Sequence, residues 1–132
     1  MNLKKKIHYH DTDFSGAVYH GNYLKYLEEA RSGMLESLGF AVTKLLERGV
    51  GFAVRRQEMD YKAPSVYGDE LDIETGVKEY SPYRIVFQYT IRNQDGRLIG
   101  KAQTDLVCVG KDLKLLEIPA DLQQALAGLT GK

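Results

Sequence analysis

The hydrophobic period of this chain changes once, and that change limits the folds open to it. Over residues 22–38, Leu24, Leu27, Ala30, Met34, Leu35 and Leu38 recur at three- and four-residue steps. Lys25, Glu28, Glu29, Ser32 and Glu36 take the other side, which is the pattern of an amphipathic helix. Asn22 is placed to cap its start and Gly39 to end it. A shorter helical pattern, Val42 to Glu47, stops at Arg48-Gly49. After Gly51 the period becomes two. Strands are expected over 52–62, 71–78, 83–92 and 98–109, with turn chemistry at Tyr67-Gly68-Asp69, Ser81-Pro82 and Asn93-Gln94-Asp95-Gly96. The first of these alternates poorly, as a strand crowded on both faces would. A strand over 3–9, a short one over 115–118 and a closing helix from Pro119 to about Gly128 complete the reading.

One long helix followed by four long strands must bury its stripe on the sheet those strands make. The expected class is α+β: a central helix wrapped by a curved antiparallel sheet of five or six strands, in one domain spanning 1–132. An exposed sheet edge invites pairing with a second copy, so a homodimer or homotetramer is expected. A chain of 132 residues can bury an adequate core without staples. Eighteen basic and eighteen acidic side chains cancel, which argues against a nucleic-acid partner. The lysines at 4, 5 and 6 read as a solvated chain end. No apolar run approaches the ~18–20 residues of a membrane span, and no signal-peptide pattern opens the sequence. Cys108, the single cysteine, lies in an apolar run and reads as a buried structural thiol. A cytoplasmic protein is expected.

Folding does not account for residues 9–23, Tyr-His-Asp-Thr-Asp-Phe-Ser-Gly-Ala-Val-Tyr-His-Gly-Asn-Tyr. Acids, hydroxyls, glycines and two histidines crowd the approach to a helix N-terminus, where backbone N–H groups lack partners. The pattern Asp11-Thr12-Asp13-x-x-Gly16-x-Val18-Tyr19-His20-x-Asn22-Tyr23, followed by Glu29-Ala30-Arg31, resembles the signature of the hot-dog-fold acyl-CoA thioesterases. Within them it is similar to the 4-hydroxybenzoyl-CoA thioesterase family and its tol–pal-associated group. The similarity runs on through Val54-Arg55-Arg56, Tyr61-x-Ala63-Pro64 and Gly68-Asp69, over nearly the whole chain. It implies hydrolysis of acyl-CoA without a cofactor, with the catalytic carboxylate at Asp13. It also implies an active site at a dimer interface, between this loop and strand residues of the other subunit.

Asp13 could attack the thioester carbonyl directly or deprotonate a water molecule. N–H groups at the helix start could stabilise the oxyanion, and Gly16 would let the backbone approach the substrate. Tyr19, His20 and Asn22 would form or support the pocket, whereas Asp11 reads as a backbone-binding structural acid. The duller reading of Asp13 is a turn cap. Glu28 and Glu29, where some relatives place their acid, read here as a solvated face or interface contact. Arg55, Arg56 and Arg84 are candidates for coenzyme A phosphates, although the basic cluster of the benzoyl-CoA thioesterases is reduced to Arg84 at the Ser81-Pro82-Tyr83 turn. Acyl carrier protein is an alternative carrier.

Three other classes compete. His8-x-His10 with nearby acids could bind a metal, but the spacing matches no standard site and none is expected. A non-catalytic acyl-CoA or acyl-carrier-protein binding module of the same fold is the alternative function; loss of the acid would have favoured it. A hydratase of this fold would need an Asn-Pro-x-His-type segment, which the chain lacks.

Overall fold

The computed structural model describes residues 2–130. In chain order the elements are β1 (Asn2–Lys6), α1 (Asn22–Ser37), α2 (Val42–Glu47), β2 (Gly51–Tyr61), β3 (Glu70–Ser81), β4 (Arg84–Arg92), β5 (Leu98–Val109) and α3 (Ala120–Thr130). The strands form one five-stranded sheet in the order β1-β3-β4-β5-β2, with every neighbouring pair antiparallel.

The chain runs as a meander only through β3, β4 and β5. β2 does not neighbour β3, as a four-strand meander would require; it joins the far side of β5 and leaves an open edge. Residues 62–69 therefore carry the chain from one side of the sheet to the other. They are stitched to the N-terminal segment on the way: Val18 N–H donates to the Ser65 carbonyl at 2.8 Å, and Ile7 N–H to that of Asp69 at 2.8 Å. The poor alternation of β2 belongs to an edge strand rather than one crowded on both faces, since most of its side chains are exposed or half-buried.

α1 buries Tyr23, Tyr26, Leu27, Ala30, Met34 and Leu35 in one core with Ile73, Ile85, Phe87, Ile91, Leu106 and Cys108 of the sheet. Each of the Leu, Ile, Met and Phe side chains among them contributes about 1.5–3 kcal/mol by leaving water. Leu24, expected on the buried stripe, is 46% exposed, because the buried face is turned toward the two tyrosines. Both α1 and α2 stop on a left-handed glycine. Phe40 N–H reaches the Leu35 carbonyl and Gly39 N–H that of Glu36; Val50 and Gly49 repeat the pattern on Leu45 and Leu46. These are Schellman closures, which require φ of +94° at Gly39 and +76° at Gly49.

At the ends the strands are shorter than expected. β1 stops at Lys6, and a 3₁₀ turn at Tyr9–Asp11 replaces its last residues. Residues 115–118 contribute only an isolated bridge, Val109 to Leu115. The lysines at 4–6 are strand residues rather than a free end: Lys5 pairs with Glu29 at 3.2 Å and lies 5.3 Å from the centre of the Tyr26 ring. Cys108 is fully buried, and burial pushes its thiol above the usual range.

Candidate active site

Between β1 and α1 the chain makes a small hairpin of its own. Thr12 and Val18 bridge, Asp13 N–H donates to the Ala17 carbonyl at 2.9 Å, and Gly16 N–H closes a turn on the Asp13 carbonyl at 2.9 Å. This is a three-residue loop whose last position is left-handed, and Gly16 supplies it with φ of +89°. No atom lies within 4 Å of where a Gly16 side chain would stand, so its backbone faces open space.

Asp13 occupies the first position of that turn, where an acid can bond the backbone two residues on. Its Oδ1 accepts both the Ser15 N–H, at 2.9 Å, and the Ser15 hydroxyl, at 2.5 Å. The Ser15 hydroxyl donation, then that of its N–H, hold the exposed carboxyl below the usual carboxylate range, with a smaller contribution from His20. The turn cap foreseen as the duller reading is thus formed, by one oxygen.

Asp11 is used differently. It is 7% exposed; its Oδ2 accepts the His8 N–H at 2.8 Å, and its carbonyl takes Tyr19 N–H and the Asn22 side-chain amide, both at 2.9 Å. Burial alone would raise its carboxyl, but the His8 N–H and the Tyr26 hydroxyl outweigh it and hold the group low. The Tyr26 phenol lies against this carboxylate without closing an ideal hydrogen bond, and burial pushes it well above its usual range. The two acids of the motif face opposite ways. Asp11 braces the loop from inside, and Asp13 stands at its rim.

Asn22 does not cap α1. The cap position is Gly21, and Asn22, the first helical residue, turns its side chain back onto the Asp11 carbonyl. The N–H groups of Asn22, Tyr23 and Leu24 are taken by the carbonyls of Tyr19, His20 and Gly21. Tyr19 and His20 are exposed, with ring centres 4.6 Å apart. The Tyr19 ring lies over Gly21, where a Cβ would come within 2.7 Å of it.

Several neighbours escaped sequence reasoning. Tyr61, at the end of β2, donates its hydroxyl to the His20 carbonyl at 3.2 Å and packs edge-on to the His20 and Tyr23 rings. Ser65 is fully buried and 3.1 Å from the Tyr23 hydroxyl. The sequence offers Tyr61 only within the Tyr61-x-Ala63-Pro64 pattern, with no role attached, and Ser65 not at all; the fold brings them here. Ser15 had a local signal, since a serine two residues after an acid in a turn is a natural partner for it.

The basic candidates lie elsewhere. Arg55, at the bulge of β2, and Arg84 of β4 both hold the buried carboxylate of Asp105, at 2.5 and 2.8 Å. Arg56 pairs with Glu58 at 2.8 Å. Glu28 accepts the Ser32 hydroxyl on the surface of α1, and Glu29 pairs with Lys5. Among the described residues no group of three or more His, Cys, Asp or Glu side chains is placed to hold a metal ion.

A cavity of about 520 Å³ opens where α1, α2 and the start of β2 meet. Leu35, Leu45, Leu46, Val50, Phe52 and Ala53 give it apolar walls, and Arg31 and Glu28 border it. None of the residues of the Asp13 loop lines it. The loop adjoins the end of β2, through Tyr61 and His20, and the cavity adjoins its beginning.

The profile of the Thioesterase-like superfamily matches residues 7–126. The chain is 34% identical over 115 residues to the putative acyl-CoA thioesterase YneP of Bacillus subtilis, covering 85% of this chain and 83% of that protein. It is 35% identical over 104 residues to the acyl-CoA thioester hydrolase YbgC of Escherichia coli O157:H7, covering 79% and 78%. Its fold superposes on the DHNA-CoA thioesterase of Staphylococcus aureus with a TM-score of 0.92 at 29% identity, covering 96% and 88% of the two chains.

Proposed function

This chain belongs to the thioesterase-like superfamily, and from that membership we propose that it hydrolyses acyl-CoA thioesters through the Asp13 carboxylate. The observation that carries the assignment to Asp13 is the disposition of its two oxygens. Oδ1 is held by Ser15, while Oδ2 remains on the exposed rim of the loop. A carboxylate so held is ionised and aimed, which is what attack on a thioester carbonyl needs. Attack by this carboxylate on the carbonyl forms an acyl–aspartyl anhydride; removal of a proton from water is the other route open to it. In the anhydride route coenzyme A leaves as the thiolate, which takes its proton from solvent, and water then cleaves the anhydride to the free acid and the Asp13 carboxylate. A burst of thiol ahead of free acid in rapid-quench experiments is the expected signature.

Because the N–H groups of Asn22, Tyr23 and Leu24 are already bonded, the donors assigned to the developing oxyanion are those of His20 and Gly21, just before the helix. Tyr19 and His20 would wall the thioester, and Asn22 keeps the segment attached to Asp11. Of the three arginines, Arg56 alone is not drawn onto Asp105, which leaves it the better candidate for a coenzyme A phosphate.

The acyl group needs walls that the Asp13 loop does not have. β2 pairs with β5 along one side only, so its other side presents unpaired backbone groups to a second copy. Antiparallel pairing of two β2 strands about their midpoint sets Tyr61 of one against Gly51 of the other. The Asp13 loop of one subunit then meets the apolar cavity of its partner. A homodimer is therefore the proposed working unit, and a tetramer would be a pair of these.

Thiol release from a panel of acyl-CoAs tests the proposal. Asp13→Asn should fold, assemble and bind acyl-CoA with turnover reduced by about a thousandfold or more. Wild-type rates in that variant would remove Asp13 from the mechanism. Binding without turnover in both proteins would make the chain an acyl-CoA-binding module.

A further inference from the structure

Ser15 stands at a position that the family motif leaves open, yet it makes both side-chain contacts of Asp13. Its N–H reaches Oδ1 at 2.9 Å and its hydroxyl reaches the same oxygen at 2.5 Å. The direction of the second bond follows from the carboxylate, which when ionised can only accept, and a third bond is consistent with it. Ala17 N–H donates to the Ser15 Oγ at 3.3 Å, which occupies that oxygen as an acceptor and leaves its proton for Asp13. The left-handed Gly16 makes this possible, because it turns the chain so that Ala17 N–H faces back over Ser15.

We propose that Ser15 is a positioning residue for the reaction. Its hydroxyl and N–H clamp Oδ1 of Asp13, so that Oδ2 is the oxygen presented to the thioester. This inference rests on the catalytic reading of Asp13. Ser15 itself touches no reacting atom; it acts by fixing the carboxylate's rotation and by favouring its ionised form. Removing the hydroxyl frees the carboxylate to rotate and takes away a bond made only to the anion. Protonation then becomes easier, and activity that needs the anion fails at a higher pH. Besides the Ser15 bonds, the titratable group acting on Asp13 is His20, from the segment just before α1, and all three variants below leave it in place.

The test compares pH profiles of kcat/KM for wild type, Ser15→Ala, Ser15→Thr and Asp13→Asn on one acyl-CoA that the wild type hydrolyses. Ser15→Ala should move the acid limb upward by about half a pH unit or more. It should also lower kcat several-fold with KM nearly unchanged. Ser15→Thr, which keeps the hydroxyl, should restore the wild-type limb. Carbon NMR of the Asp13 carboxyl provides a readout independent of turnover: its titration should move in the same direction in Ser15→Ala. A merely structural role would lower the melting temperature and leave both titrations in place, and that result overturns the inference. If Asp13→Asn is inactive while Ser15→Ala keeps the wild-type profile and carboxyl titration, the clamp alone is wrong. If Asp13→Asn retains activity, the function proposed for Asp13 falls and the clamp falls with it.

Discussion

Asp11 and Asp13 share a side-chain chemistry and differ in what surrounds it. Asp11 is buried and offers its oxygens to the His8 N–H and the Tyr26 hydroxyl, so its carboxylate is part of the fold. Asp11→Ala leaves the His8 donor without its partner and should cost about 1–3 kcal/mol, read as a lowered midpoint in urea unfolding. The pH dependence follows from the sign of the shift. The folded-state carboxyl titrates below its unfolded value of 3.8, so its stabilisation is complete above that pH. It is lost as pH falls through the lower, folded value. Wild type should therefore lose stability relative to Asp11→Ala only below about pH 4. Asp13 is fully exposed, and its replacement should register in turnover rather than in unfolding.

At the scale of elements, α1 shows how a period can be right and its phase wrong. Leu24 fits the apolar repeat as well as Leu27 does, but only Leu27 is fully buried; Tyr23 and Tyr26 take the place beside it. A tyrosine reads as polar or apolar according to where its hydroxyl can go. Here Tyr23 finds Ser65, and Tyr26 lies against Asp11. Leu27→Ala should cost about 2–5 kcal/mol and Leu24→Ala less than about 1, in the same unfolding assay. Equal costs would put the expected face back in the core. β2 teaches a similar lesson, because irregular alternation has two causes, crowding on both faces and exposure at an edge.

The site proposed here is a property of two chains, and that can be tested on the whole molecule. Ala53→Trp should fill the cavity and, like Asp13→Asn, abolish hydrolysis of longer acyl groups. Co-refolding the two inactive variants should then recover activity, because a mixed dimer joins an intact Asp13 loop to an intact cavity. A site contained within one chain would give no recovery.

Much of this protein was legible before any coordinates. One long helical period followed by period-two segments is enough for an α+β layer, since each apolar face needs the other. The turn chemistry of residues 93–96 and the glycines at 39 and 49 are local, and local signals survive in a sequence. So is the Asp13–Gly16 turn, from which Ser15 could have been read as a partner. Tertiary structure decided what depends on contacts remote along the chain. β2 lies beside β5, not β3, because the crossing segment 62–69 anchors on Ile7 and Val18. That crossing brings Tyr61 and Ser65 to the Asp13 loop, draws Arg55 onto the Asp105 that Arg84 already holds across β4 and β5, and sets the cavity at the opposite end of β2 from the carboxylate. The resemblance could point to Asp13, and the turn that holds its Oδ1 spans only five residues. The sequence could not locate the pocket, because pockets are made by the strand order, and strand order is settled by packing over the whole sheet.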